Sequence, residues 1–190
     1  LGISNSIAEA LEVIKQNYSK KIDVGVVNDY FFFSNMSLGI GARIINHYTG
    51  FKKRQIISYF RASLKALFQK SPSQLIDLEI DGFKKTIDPL VLFVSNSNEM
   101  GYNLSFTPQA SLQDGKLDVV CTEQLTFFEK LAFVKQLIIH KNKRYKKAKY
   151  FLTNQIKVTN RKGNEFLTQV DGESILIQSK ELKISIKQIA

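Results

Sequence analysis

At 190 residues, 44% hydrophobic and 11% aromatic, the chain holds enough apolar material for one sizeable core and lacks the composition of a disordered tail. Its longest apolar run is about that of Leu90–Val94, well short of the ~20 residues of a membrane-spanning helix, and its first residues, LGISNSIAEALEVIKQ, show no signal-peptide pattern. The formal net charge is +10, yet residues 140–162 hold nine Lys/Arg and no acid, leaving 18 basic against 17 acidic residues elsewhere.

Residues 6–16 (SIAEALEVIKQ) carry Ile7, Ala10, Leu11 and Ile14 at helical spacing, with Ser6 and Glu9 placed as a capping box. IDVGVVNDYFFFSNM predicts a hairpin turning at Asn28-Asp29, and SLGIGARIINHY a glycine turn running into a helix. Residues 54–69 predict an amphipathic helix with Ile56, Ile57, Phe60, Leu64, Leu67 and Phe68 on one face, stopped at Ser71-Pro72. From Gln74 the period changes to two. LIDLEID and FKKTIDPLVLFVSN predict a hairpin about Asp81-Gly82 whose second strand is buried.

KLDVVC at 116–121 reads as a strand and TFFEKLAFVKQLIIH at 126–140 as a helix. Strands follow in KYFLTNQIKVTN, EFLTQVD, ESILIQS and LKISIKQI, with a turn at Arg161–Asn164. About eight to ten strands with three or four helices, without repeat or linker, predict a mainly β (α+β) fold: an antiparallel sheet or sandwich decorated with helices.

Cys121 is the one cysteine, which excludes an internal disulfide framework and fits a reducing compartment. His47 and His140 are too far apart to form a metal motif, so any bound metal should be a hard cation held by oxygens. The basic stretch asks for an anionic partner: a phospholipid surface, a nucleotide or nucleic acid.

Two Asp-Gly steps stand out beside the Asp81-Gly82 turn. Asp114-Gly115 lies in a polar loop with Ser111 and Asp118 that could be a turn or could hold Mg²⁺ through a carboxylate, carbonyls and waters. Asp171-Gly172-Glu173 follows apolar neighbours; spacing alone reads it as a hairpin turn, which is also a way to hold a carboxylate at a strand end for proton transfer.

SFTPQASLQDGKLDVV resembles the loop-and-strand signature of bacterial diacylglycerol-kinase-like lipid kinases, a family that includes sphingosine and ceramide kinases. QVDGE resembles that family's second C-terminal signature. KKIDVGVVNDYFFFSNMSLGIG is similar to the stretch that opens its second domain, and YKKAKYFLTNQIKV to its basic strand. The matches run through the whole chain in order. The family's Gly-Gly-Asp-Gly-Thr nucleotide motif does not occur here, and the opening Leu-Gly-Ile is similar to what closes the family's first domain.

The resemblance therefore implies a C-terminal fragment, with residues 1–20 ending the nucleotide-binding domain or hinge helix and 21–190 forming the β-rich second domain. Such a fragment should be inactive alone. In the full-length protein the resemblance implies ATP-dependent phosphorylation of a lipid hydroxyl, with Mg²⁺. Asp171 is the implied general base and Glu173 its neighbour in the same cleft. Ser111, Asp114 and Lys116 are the implied structural Mg²⁺ ligands, of which only Asp114 offers a side-chain carboxylate. Lys141, Lys143, Arg144, Lys146 and Lys147 are the expected contacts with an anionic membrane, implying a cytoplasmic protein peripheral at the inner membrane surface. A non-catalytic lipid- or membrane-binding module is the main alternative. A nucleic-acid-binding β domain, suggested by Tyr145, Tyr150 and Phe151 among the cations, is disfavoured by the near-neutral remainder. No nucleic-acid partner is expected.

Overall fold

A computed structural model describes residues 6–49, 56–69, 73–99, 105–139 and 145–188. Period-two sequence becomes twelve strands among the described residues: β1 (Val24–Val27), β2 (Tyr30–Phe32), β3 (Asn35–Gly39), β4 (Ile76–Ile80), β5 (Phe83–Ile87), β6 (Pro89–Ser95), β7 (Leu117–Glu123), β8 (Lys149–Thr153), β9 (Gln155–Asn160), β10 (Phe166–Val170), β11 (Glu173–Ile177) and β12 (Glu181–Lys187). The helices are α1 (Ile7–Lys15), α2 (Ile40–Thr49), α3 (Ile56–Phe68) and α4 (Phe127–Ile139).

The strands form two six-stranded antiparallel sheets, ordered β2-β1-β12-β9-β4-β5 and β11-β10-β3-β6-β7-β8. Their inner faces enclose a core that includes Phe32, Met36, Leu38, Leu78, Val119, Val158 and Leu182. A second cluster, with Ala66, Leu67, Phe93, Val120 and Phe133, joins the outer face of the second sheet to the helices. The expected helix-decorated β-sandwich is present.

Two of the differences from the sequence reading are places where one short stretch serves both sheets. FKKTIDPLVLFVSN is two strands, split at Asp88: β5 is a mostly exposed edge of the first sheet, whereas β6 is buried along its whole length in the second. β6 is apolar from Pro89 to Val94 because one face meets the sandwich interior and the other meets helices. KYFLTNQIKVTN divides likewise at Asn154 into β8 and β9.

On α3 the buried side chains among the described residues are Ala62, Ala66 and Leu67, while Leu64 is exposed. The side chains of Ile56, Ile57, Phe60 and Phe68, and the Ser71-Pro72 stop, lie outside the described residues. At α1, Ser6 makes no side-chain cap bond, and the helix buries none of its residues; Ile7 and Ile14 are 79% and 73% exposed. The cap forms instead at α4, where Glu129 Oε2 accepts from Thr126 N at 2.8 Å. No described helix is long and apolar enough to cross a membrane.

Candidate functional site

The tip of the β10–β11 hairpin carries the first candidate. Val170 and Glu173 pair across the turn, and both central residues, Asp171 (φ 46°) and Gly172 (φ 86°), are left-handed, the backbone of a two-residue type I′ turn. The Asp171 carboxylate is turned onto the link between β2 and β3. Its Oδ2 accepts from Phe33 N at 2.7 Å, and its Oδ1 accepts from Ser34 N at 2.8 Å and Asn35 N at 3.0 Å. Asp171 N donates to Asn35 O at 2.9 Å, closing the ring.

Three successive N–H groups around one anion make a backbone nest. They occupy three of the roughly four acceptor positions of a carboxylate. Asp171 is thus first a clamp, with one acceptor position left over. Glu173, exposed and two residues on, is the second acid at the tip. Beneath the turn, buried Gln169 is oriented with its amide nitrogen toward Ser37 Oγ (3.0 Å) and its oxygen accepting from Gly172 N (2.7 Å).

The second candidate is the loop before β7. Asp114 Oδ1 accepts from Lys116 N at 3.0 Å and Ser111 Oγ from Gln113 N at 3.3 Å, so both side chains shape the loop. Gly115 has φ 68°, and a Cβ there would lie 2.0 Å from Gln188 Nε2. Among the described residues no group of three or more His, Cys, Asp or Glu converges as a metal site. One carboxylate with the carbonyls of residues 111 and 116 is a donor set that suits Mg²⁺, which retains several waters, better than a dehydrated cage.

The structure connects these two places through residues that the sequence reading did not single out. Asp23, buried just before β1, donates its N–H to Leu112 O (2.7 Å), and its Oδ2 accepts from Gly115 N (2.8 Å). Asn96, fully buried after β6, donates through Nδ2 to Asp23 O (2.8 Å) and Phe33 O (2.9 Å), and through its N–H to Ser34 O (2.8 Å). A continuous polar path therefore runs from the Asp114 loop through Asp23 and Asn96 to the Phe33–Asn35 nest and Asp171. Asn96 Oδ1 is buried without a partner. The only sequence signal for these two residues was a polar residue at the end of an apolar run.

The basic candidates are elsewhere. Lys141, Lys143 and Arg144 lie outside the described residues. Lys146 and Lys147 are exposed before β8, on the sheet edge opposite the β10–β11 tip. Lys147 pairs with Glu129 of α4, so its cation is partly neutralised by an acid from outside the basic stretch.

The family model of the YegS C-terminal NAD kinase β-sandwich-like domain matches residues 34–185. Diacylglycerol kinases of Staphylococcus aureus strains JH9 and Newman are each 28% identical over 131 residues, 68% of this chain and 41% of theirs. The chain thus spans well under half the length of these curated relatives. A solved structure titled as diacylglycerol kinases from Bacillus anthracis str. Sterne aligns over 99% of this chain and 58% of its own, with TM-score 0.66 and 19% identity. A second structure from that strain reaches TM-score 0.73 at 20% identity, covering 99% of this chain and 61% of its own. At these identities the structural likeness concerns the fold.

Proposed function

The chain belongs to the family of YegS C-terminal NAD kinase β-sandwich-like domains, and from that premise we propose that it is the second domain of an ATP-dependent lipid kinase. The substrate would be diacylglycerol or a similar lipid with a free hydroxyl. The observation that carries this reading is the acidic hairpin tip, held on three backbone N–H groups and tied through Asn96 and Asp23 to the Asp114 loop.

Phosphoryl transfer asks a protein mostly for positioning and for a place to put charge and a proton. When bound, ATP with Mg²⁺ supplies the transferable γ-phosphoryl group and neutralises its charge. As the lipid hydroxyl oxygen bonds to phosphorus and the bond to the ADP oxygen breaks, the hydroxyl proton passes to a carboxylate at the tip. Asp171 is that acceptor in this proposal, and Glu173 sets the charge beside it. The nest keeps Asp171 in one place, so its remaining acceptor position has a fixed direction. Asp114, with the backbone at 111 and 116, would hold a structural Mg²⁺ away from the transfer. Lys146 and the cations of residues 141–144 would bring the protein to an anionic leaflet, each contributing about 1 kcal/mol near such a surface. That makes it a peripheral protein of the cytoplasmic face.

The test is transfer of the γ-phosphoryl of ATP by the full-length protein to a panel of diacylglycerol, phosphatidylglycerol and a sphingoid base, for wild type, Asp171→Asn and Glu173→Gln. One lipid should be phosphorylated, with Asp171→Asn the most impaired protein. Activity toward none of them would remove the lipid-kinase reading.

A further inference from the structure

A helix that lies on a sheet ordinarily keeps one face apolar and turns a polar face to water. α4 does not. Its inner face carries Phe133, buried in a cluster with Phe93 and Val120 of the second sheet and Ala66 and Leu67 of α3. Phe133 also stacks on Phe106 at 5.6 Å between ring centroids and meets Tyr145 edge-on at 5.1 Å. At about 100° per residue, Phe128, Leu131, Ala132 and Lys135 fall on the opposite side, and all four are exposed. Phe128 is 80% exposed, Phe127 54% and Leu131 43%, and the two neighbouring Phe rings meet edge to face at 5.5 Å. Single exposed apolar side chains are ordinary; three at the start of one helix, two of them aromatic, form a patch.

Cations of the basic stretch are brought to the same turn. Tyr145 Oη donates to Glu129 O at 3.2 Å and Lys147 pairs with the Glu129 carboxylate, so residues 145–147 are tied to the first turn of α4. Lys146 and Lys147 are exposed there, and Lys135 is exposed on the helix itself. Glu129 is the one acid of α4, and it is the acid that Lys147 engages. The apolar patch is thus bordered by positive charge.

We propose that the outer face of α4 enters the surface of an anionic lipid bilayer, with Phe127, Phe128 and Leu131 at the boundary between headgroups and acyl chains and Lys135, Lys146 and Lys147 on the lipid phosphates. A helix lying in that plane combines these two features, an apolar face sunk about 5–10 Å and cations beside it. Attraction by exposed cations alone is screened by salt; insertion of the rings adds a part that salt does not screen. Charge complementarity selects this occupant over a second copy of the chain, which would bring the same cations against one another. Insertion presupposes the reading of the basic stretch as a membrane contact and supplies its apolar half; it is independent of the kinase reaction.

The chain has no tryptophan, so Phe128→Trp places a single indole on this face. Its emission and co-sedimentation would be followed with vesicles of equal parts phosphatidylcholine and phosphatidylglycerol, with and without bromine on the acyl chains. The emission should shift to the blue on binding and be quenched by the brominated lipid. Phe128→Ser should bind these vesicles at least about tenfold more weakly, because removing a phenyl ring from water is worth more than a decade in an equilibrium. Its remaining binding should fall steeply with salt, whereas wild type should keep part of its binding. A chain that co-sediments while its indole is neither shifted nor quenched is held by its cations alone, which would overturn insertion and leave the basic contact standing. Co-sedimentation of neither wild type nor Phe128→Trp would remove both. Phe128→Ser binding like wild type would also overturn the proposal, as would a wild-type dimer without lipid that Phe128→Ser dissociates, since the face would then belong to another copy. Among the described large apolar side chains Phe128 is the most exposed, so neither substitution disturbs the core.

Discussion

Asp171 has two tasks on one carboxylate, and substitutions separate them. Asp171→Asn keeps the shape but leaves one carbonyl oxygen to receive the N–H groups of Phe33, Ser34 and Asn35, so it should cost about 1–3 kcal/mol of stability as well as activity. Glu173→Gln should lower kcat with no more than ~0.5 kcal/mol lost, as for other surface changes; urea titration beside the kinase assay reads both. At the other loop, Mg²⁺ at ten times its Kd should raise the melting temperature by about 3–5 °C in wild type and not in Asp114→Asn. An equal rise in both would remove Asp114 as a ligand. Asp114 and Asp171 were legible because an Asp-Gly step is a compact local signal. Asp23 and Asn96 were not, because their role lies in partners that are distant in sequence: Asp23 bonds to Gly115, and Asn96 to Asp23 and Phe33.

Among the elements, helices and hairpin turns followed their local codes, since capping, periodicity and left-handed turn residues act within a few positions. The capping box shows the limit: Ser6–Glu9 and Thr126–Glu129 have the same spacing, but the pairing is made at α4, which packs against the second sheet. Lys147, then Thr126, hold the Glu129 carboxylate down to about 2, from an ordinary 4.5. Because the folded value is the lower one, this pair stabilises the fold above pH 4.5 and the contribution is lost as pH falls toward 2. Stability curves of wild type and Glu129→Gln should therefore differ at pH 6 and converge near pH 2; parallel curves throughout would contradict it. Strand partners were less legible than strands, because β5–β6 and β8–β9 change sheets across a single polar residue, Asp88 or Asn154, with no loop between them. The β1–β2 hairpin is fixed by packing: a Cβ at Gly25 would lie 2.1 Å from the fully buried Phe32 ring. Gly25→Ala should cost about 1–3 kcal/mol in urea unfolding, and a loss under ~0.5 kcal/mol would show that the ring has room to move.

Across the whole molecule the acids and the main cations lie apart on one sandwich. The β10–β11 tip and the polar path that steadies it lie at the strand ends where Asn35 pairs with Ser95 and Ser95 with Asp118, whereas Lys149 pairs with Cys121 toward the other end of β7. A chain with a net charge of +10 whose excess is gathered in one stretch should bind anionic vesicles in a salt-sensitive way. Converting Lys141, Lys143, Arg144, Lys146 and Lys147 to Gln should abolish that binding, and unchanged binding would move the docking surface elsewhere. The most direct test of the acidic tip is kcat for phosphoryl transfer to diacylglycerol by the full-length protein, wild type against Asp171→Asn, with both shown to be folded at the assay temperature. A fall of about 10²–10⁴, the usual contribution of a general base, is the result expected; a variant that turns over as fast as wild type would contradict the role given to Asp171.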